Sequence, residues 1–251
     1  MFEKVSWIIP TMWKHTLFFR LLDKVSKADN GDEVIVIDNV NSNKHIKLPN
    51  VRQVFISTNS FVNPAWNLGV SLSHNEAICL VNDDVMFTYE VFRKQLLDVL
   101  NEDEHSLLLS YKRRFYNIAD RTDEDLLRAY NVLVDPVDSE PGWKLVTPEV
   151  DAEPDEPFWG TGFVQGMAYK HYPAIPAQLR IFFGDNWIRE VYKANGWRRL
   201  LSHCKIVGRL NGTVSTFDWD SIGRDKGRVW EGEVDYYYGV CAPKFQTKRL
   251  Y

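Results

Sequence analysis

The chain carries no excess of positive charge: thirty Lys and Arg stand against thirty-four Asp and Glu, a formal net charge of −4. A global basic footprint for nucleic acid is therefore missing, although a local basic patch remains compatible with that balance. Cysteine is sparse. Cys79, Cys204 and Cys241 are odd in number and widely spaced, which fits reduced thiols in a cytosolic protein better than a disulfide framework or a zinc site. No stretch approaches the roughly 20 apolar residues of a membrane span. The start, Met1-Phe2-Glu3-Lys4-Val5, lacks the basic opening and apolar core of a signal peptide. These absences predict a soluble, cytoplasmic protein without an integral membrane segment. Neither GxGxxG nor GxxxxGK followed by Ser or Thr occurs after any apolar run, which argues against a dinucleotide enzyme and a P-loop NTPase.

What is present is ordinary in bulk and unusual in one respect. Hydrophobic residues make up 45% and charged residues 25%, as in a soluble globular protein able to bury its own core. Nine Trp, eleven Tyr and fourteen Phe are many for 251 residues. Aromatic rings line sugar- and base-binding clefts, and they equally serve core packing.

Apolar periodicity organises the first hundred residues. Val5–Ile9 reads as a strand, ended by Pro10-Thr11, and Trp13–Lys27 as a helix with Leu17, Phe18, Leu21, Leu22 and Val25 at helical spacing. Glu33–Asp38 reads as a buried strand ending in an acid, Val51–Ser57 as a third strand, and Asn63–Leu72 as a short helix. Ala77–Val81 is a continuous apolar run that stops at Asn82-Asp83-Asp84, as a strand buried on both faces does. Strand, helix, strand at these lengths predicts parallel βαβ units and an α/β sheet. Glu90–Leu100 and Asp123–Val132 read as helices, and Leu107–Tyr111 as a strand. From Asp135 to Pro157 five prolines forbid a continuous helix or central strand, so a long loop or lid is expected. Phe163–Tyr169 returns as a strand and Asn186–Ala194 as a helix stopped by Asn195-Gly196. Leu200-Leu201 and Ile206-Val207 are short strand candidates, and the chain after Thr216 reads as irregular.

Acids at the carboxyl ends of parallel strands sit where open α/β sheets bind ligands. Asp38 and the pair Asp83-Asp84 occupy such ends. Adjacent carboxylates with an amide suit a hard cation such as Mg²⁺ or Mn²⁺, and they equally suit a polar turn. Asp185 opens a helix, where it serves as a cap or as a general base.

The order of these residues resembles the inverting, GT-A-type nucleotide-sugar glycosyltransferases of the large family-2-like group. Pro10-Thr11 resembles the family's opening motif, and Val34-Ile-Val-Ile-Asp38-Asn39 its base-binding strand. Asn63-Pro-Ala-Trp-Asn67-Leu-Gly69 is similar to its Ala-Arg-Asn-x-Gly segment, with Trp66 where Arg is usual. Asn82-Asp83-Asp84 resembles its DxD motif. Trp159 and Gly160-Thr161-Gly162 look like its acceptor-side segment, and Phe183-Gly-Asp185-Asn-Trp187 like its Glu-Asp motif with only one acid left. The family often carries a metal-binding His late in the chain. None stands at Val207-Gly208-Arg209, and His203 lies a few residues early.

The resemblance implies one GT-A-like catalytic domain over residues 1–251: a mostly parallel Rossmann-like sheet flanked by helices, a small acceptor-side sheet and an irregular tail from 216. Residues to about 110 form its nucleotide-sugar-binding half and about 158–215 its acceptor half. It implies transfer from a UDP-sugar or similar donor, with inversion, assisted by Mn²⁺ or Mg²⁺. Asp84 is the implied metal ligand, with His203 as a second. Pro10, Thr11, Asp38, Asn39, Asn67, Asn82, Asp83 and Arg209 are implied to contact the donor. Trp159, Gly160, Thr161, Gly162 and Trp187 face the acceptor, and Asp185 is the base. A glycan, protein or small molecule is the expected acceptor, with hydroxymethylated DNA as a further option through the basic clusters Lys112-Arg113-Arg114 and Arg198-Arg199. Competing readings are a nucleotidyltransferase, against which the non-glycine loop Pro10–His15 speaks, and a non-catalytic sugar-binding module.

Overall fold

The computed structural model describes residues 1–27, 30–110, 163–202 and 226–247, with residues 124 and 204 and the short strands 115–117, 143–145 and 206–208. The first half alternates as its periodicity predicts. β1 (Val5–Thr11), α1 (Thr16–Lys27), β2 (Glu33–Asp38), β3 (Val51–Phe55), α2 (Val62–Ser71) and β4 (Ala77–Val81) follow in order. β5 (Val85–Phe87), α3 (Tyr89–Glu102), β6 (Ser106–Leu109), β7 (Phe115–Asn117) and β8 (Trp143–Leu145) come next. β9 (Val164–Ala168), α4 (Gly184–Ala194), β10 (Arg198–Ser202) and β11 (Ile206–Gly208) precede two closing helices, α5 (Lys226–Tyr236) and α6 (Ala242–Thr247). α1 begins later than the apolar spacing suggests, because Trp13 sits in the left-handed region at φ 59° and breaks the helical path.

The main sheet has the order β3-β2-β1-β4-β9-β6-β10-β8. β1 to β4, β6 and β10 run one way, while β9 and β8 run against them. Side chains alternate across it with period two. Trp7, Ile9, Val34, Val36 and Cys79 pack against α1 and α3, whereas Ile8, Ile35, Ile37, Ile78 and Leu80 pack against α2, α4 and the C-terminal helices. Both faces are therefore covered, which is why these strands read as unbroken apolar runs. α2 reaches the sheet closely: a Cβ on Gly69 would stand 2.2 Å from Ile8 Cγ2. The three cysteines are buried with free thiols. Among the described residues no helix is long and apolar enough to cross a membrane.

Two expectations change, and the sheets gain detail. The strand read at Phe163–Tyr169 is β9, which runs antiparallel between β4 and β6 in an otherwise mostly parallel sheet, and the smaller sheet is β5-β11-β7. The proline-rich stretch contributes β8, which pairs with β10 as an edge strand, a sheet position compatible with proline. The tail, expected to be irregular, is helical from Lys226 to Thr247 through a π-helical turn at Tyr237–Cys241. Its inward stripe is Glu233, Tyr237 and Cys241, with Phe245 partly buried, at four-residue spacing. A carboxylate in that stripe hides the apolar period. Apart from Glu124, the predicted helix Asp123–Val132 lies outside the described residues, as does most of Asp135–Pro157.

Candidate active site

The carboxyl ends of β1, β2 and β4 form one edge of the sheet. The register Ile8↔Leu80 places Asp83 level with Thr11, three residues on in each strand. Thr11 Oγ1 donates to Asp83 Oδ2 at 2.8 Å, and the Met12 backbone N–H donates to the same oxygen at 3.3 Å. Asp83 thus turns back into the protein and ties β4 to β1. Burial pushes its carboxyl above the usual range, against the pull of nearby His15 and of these hydrogen bonds. His15 is itself buried, and nothing in its local sequence marks it as a neighbour of Asp83.

Asp84, next in the chain, is also buried, at 3% exposure. Asn82 is half-buried, and its backbone N–H donates to Phe163 O at 3.0 Å, so the chain enters β9 beside this turn. With Asp83 engaged by Thr11 and Met12, Asp84 and Asn82 are the neighbouring residues of this turn whose side chains carry oxygen. An all-oxygen set of this kind fits Mg²⁺ or Mn²⁺.

Asp38 pairs with Thr11 in the β1–β2 ladder, and Pro10 with Ile37. The Asp38 carboxylate gathers the loop that follows. It accepts from Ser42 Oγ at 2.6 Å, from the Val40 and Ser42 backbone N–H groups, and from Gln53 Nε2 at 3.2 Å. Burial acts to raise its pKa, but the bonds from Ser42 and Val40 outweigh it, and the carboxyl titrates below its ordinary value. Asp38 shapes the loop 40–44, and Lys44 Nζ from that loop lies 5.2 Å from the Trp13 ring centre.

Hydrogen bonds and packing contacts lead from this edge to the start of α4, which carries Asp185. The Asn39 backbone N–H donates to Thr11 O at 2.9 Å, Ser60 Oγ donates to Asn39 Oδ1 at 2.9 Å, and Asn39 Nδ2 donates to Phe61 O at 3.4 Å. α2 starts at Val62, and Asn63 Nδ2 donates to Leu179 O (3.0 Å) and Phe182 O (3.2 Å). Asn63 also abuts Gly184, where a Cβ would stand 2.2 Å from its Oδ1. Asp185 follows, in the first turn of α4. The Glu-Asp pair of the resembled family is therefore sterically closed here, because Asn63 fills the space a Glu at 184 would need.

Asp185 is partly buried, and burial raises its carboxyl above the usual range, opposed chiefly by Arg189 one turn along. A carboxylate of raised basicity is a better proton acceptor than an ordinary exposed one, which is what a general base requires. α4 begins after Phe183, at φ 59°, so Asp185 lies inside the helix rather than capping it.

Asn67 and Trp187 stand away from the expected roles. Asn67 Nδ2 donates to Ile175 O at 2.9 Å, while Oδ1 accepts from Tyr172 Oη (2.6 Å) and Ile175 N (3.0 Å). It clamps α2 to the segment leading into α4. Trp187 is buried in the core against Phe245, with ring centres 5.3 Å apart. Trp66 is likewise core, which accounts for its replacing a polar Arg. Trp159, Gly160, Thr161, Gly162, His203 and Arg209 lie outside the described residues.

Sequence reasoning missed the contribution of α5. Glu233 accepts from the backbone N–H groups of Ile181 and Phe182, the latter at 2.8 Å, and so holds the turn before Asp185. Phe183 stacks on Tyr237 (4.7 Å, 12°) and on Trp230 (5.3 Å, 30°), and Tyr238 packs edge-on. Trp230 is 41% exposed and Tyr238 62% exposed. An aromatic wall thus stands beside Asp185 with open ring surface. By contrast Arg198 pairs with Glu102 at 3.0 Å and Arg199 is buried, so this pair presents no basic face. Lys112-Arg113-Arg114 lies outside the described residues.

No protein-family model matches the chain, and no curated protein matches it by sequence. Solved structures match by fold. GalNAc-T7, crystallised with UDP, GalNAc and Mn²⁺, superposes with a TM-score of 0.60 at 14% identity, over 97% of this chain and 52% of its own. TarS 1–349 of S. aureus gives a TM-score of 0.56 at 13% identity over 99% and 75%, and its UDP complex 0.55 at 14% over 96% and 73%. The chain spans about half the length of the GalNAc-T7 chain. Its fold is that of the GT-A glycosyltransferases: an α/β, mostly parallel sheet flanked by helices.

Proposed function

We propose that this chain is a metal-assisted, inverting glycosyltransferase that moves a sugar from a UDP-sugar, or a similar nucleoside-diphosphate sugar, to an acceptor hydroxyl. One observation carries the reading. Hydrogen bonds link Asp83 to Thr11, Thr11 to Asn39, and Asn39 to Ser60 and Phe61 before α2, and Asn63 of α2 packs against Gly184, next to Asp185; this continuity between the strand-end acids and Asp185 supports a shared site. The fold match supports it, since GalNAc-T7 and TarS hold UDP in their crystals.

Asp84, with Asn82, would hold Mn²⁺ or Mg²⁺, which as a Lewis acid supplies charge stabilisation to the departing diphosphate. Asp83, Thr11 and Asn39 fix the end of β1 against the ends of β4 and β2. Asp38 shapes the loop 40–44, and with Trp13 it frames the place for the nucleoside. Asp185 takes the proton from the acceptor hydroxyl. The freed oxygen pair attacks the anomeric carbon, and the bond from that carbon to the diphosphate oxygen breaks with its electrons leaving on the diphosphate. Attack opposite the leaving group inverts the centre. Trp230 and Tyr238 offer ring faces on which an acceptor sugar lays its C–H surface.

The test is product mass. The protein, offered a panel of nucleotide sugars with glycan and hydroxymethylated-DNA acceptors, with and without Mn²⁺, is expected to add one sugar mass to an acceptor in the presence of Mn²⁺. Donor binding without any product would instead establish a sugar-binding module.

A further inference from the structure

At the opposite edge of the sheet, the amino ends of β6 and β10, three metal-ligating side chains converge. Glu104 and His105 lie between α3 and β6, and His171 lies in the 3-10 turn Tyr169–His171 after β9. The antiparallel register Leu107↔Met167 carries the end of β9 to the start of β6. One ligand atom from each of Glu104, His105 and His171 lies within 4.8 Å of the other two. His171 Nε2 is 3.7 Å from Glu104 Oε1, beyond hydrogen-bond reach, and it is buried with no hydrogen-bond partner. A buried ring nitrogen left that way is costly unless something binds it. His105 Nδ1 lies 3.2 Å from Asp103 Oδ1, the outer carboxylate contact that orients metal-bound imidazoles. The two imidazole rings are 4.4 Å apart, and Trp197 packs on both at 5.3 and 4.8 Å, which gives the cluster an apolar wall.

We propose that Glu104, His105 and His171 form a second divalent-metal site, separate from Asp84 and suited to Zn²⁺. Two imidazoles and one carboxylate select Zn²⁺ over the hard Mg²⁺ and Mn²⁺, and the fourth tetrahedral position is left to water. Ligands at the usual Zn–N and Zn–O lengths stand roughly 3.4 Å apart, so closure asks for side-chain movements of about 1 Å. The competitor for Glu104 is Lys170, whose Nζ lies 2.6 Å from Oε1. Its side chain is 57% exposed and swings free at little cost. Once bound, the ion staples the α3–β6 turn to the end of β9.

Tag-free protein stripped with a chelator is titrated with Co²⁺ and read by visible absorbance, then challenged with Zn²⁺. One tetrahedral-type Co²⁺ spectrum, displaced by Zn²⁺, is expected in the wild type and in Asp84→Ala. Glu104→Gln, a near-isosteric change at a half-buried turn position, and His171→Ala are expected to weaken Zn²⁺ at least tenfold. Both variants should keep wild-type sugar transfer. A wild type with no tetrahedral Co²⁺ spectrum, or equal Zn²⁺ affinity in the wild type and Glu104→Gln, overturns the site.

Discussion

Replacing Gly184 by Ala is a test of how Asp185 is held. The added Cβ would stand 2.2 Å from Asn63 Oδ1, 2.6 Å from Cγ and 2.8 Å from Nδ2. Asn63 has little freedom to retreat, since it is short, buried and bonded through Nδ2 to Leu179 O and Phe182 O. If it swings away, two hydrogen bonds are lost and two carbonyls lose a donor, which costs about 2–4 kcal/mol. Alanine recovers at most about 1 kcal/mol through helix propensity. The net loss is therefore about 1–3 kcal/mol in urea unfolding. If the α4 start moves instead, Asp185 moves with it, and a misplacement of about 1 Å lowers turnover on the order of a hundredfold. The double-mutant cycle is decisive: in an Asn63→Ala background the cost of Gly184→Ala should fall to near zero. An equal cost in both backgrounds, or a wild-type background loss below about 0.5 kcal/mol with unchanged turnover, refutes the steric argument.

Other predictions concern the chemistry. Asp84→Ala should abolish metal-dependent binding of a nucleotide sugar in calorimetry; undiminished binding with Mn²⁺ present contradicts its ligand role. Arg189→Gln removes the charge that opposes the burial-raised pKa of Asp185. The folded pKa then rises further, the basic form needs a higher pH, and the acid limb of kcat/KM should move upward; a limb that moves down or stays put counts against Asp185 as base. Trp230→Ala removes a stacking face of about 1–1.5 kcal/mol and should raise the acceptor KM about tenfold with kcat kept. An unchanged acceptor KM removes Trp230 from the acceptor site.

The parts of this protein that were legible in the sequence are those set by local pattern. β2 and β4 end where their apolar runs meet Asp38 and Asn82, because strands covered on both faces leave no ambiguity of period. The acids at those ends follow from the strand ends themselves. What stayed hidden depends on partners more than a hundred residues away. Asn67 looks like a donor-binding amide in a motif that Asn63 opens, yet the contacts of both are with 172–182, the segment that carries Asp185 into place. Trp187 and Trp66 carry no local sign that separates a core ring from a substrate-facing one. Glu233 interrupts the apolar stripe of α5 because it serves backbone N–H groups of the preceding turn, so the helix that completes the site reads as irregular.

The central claim is that Asp185 does chemistry while the strand-end acids hold the donor, and Asp185→Asn separates the two. Donor affinity by calorimetry and transfer by product mass are measured on the same purified protein. Donor binding should match the wild type while turnover falls about 10²–10⁴-fold, the usual contribution of a positioned base. Transfer at the wild-type rate would contradict the account.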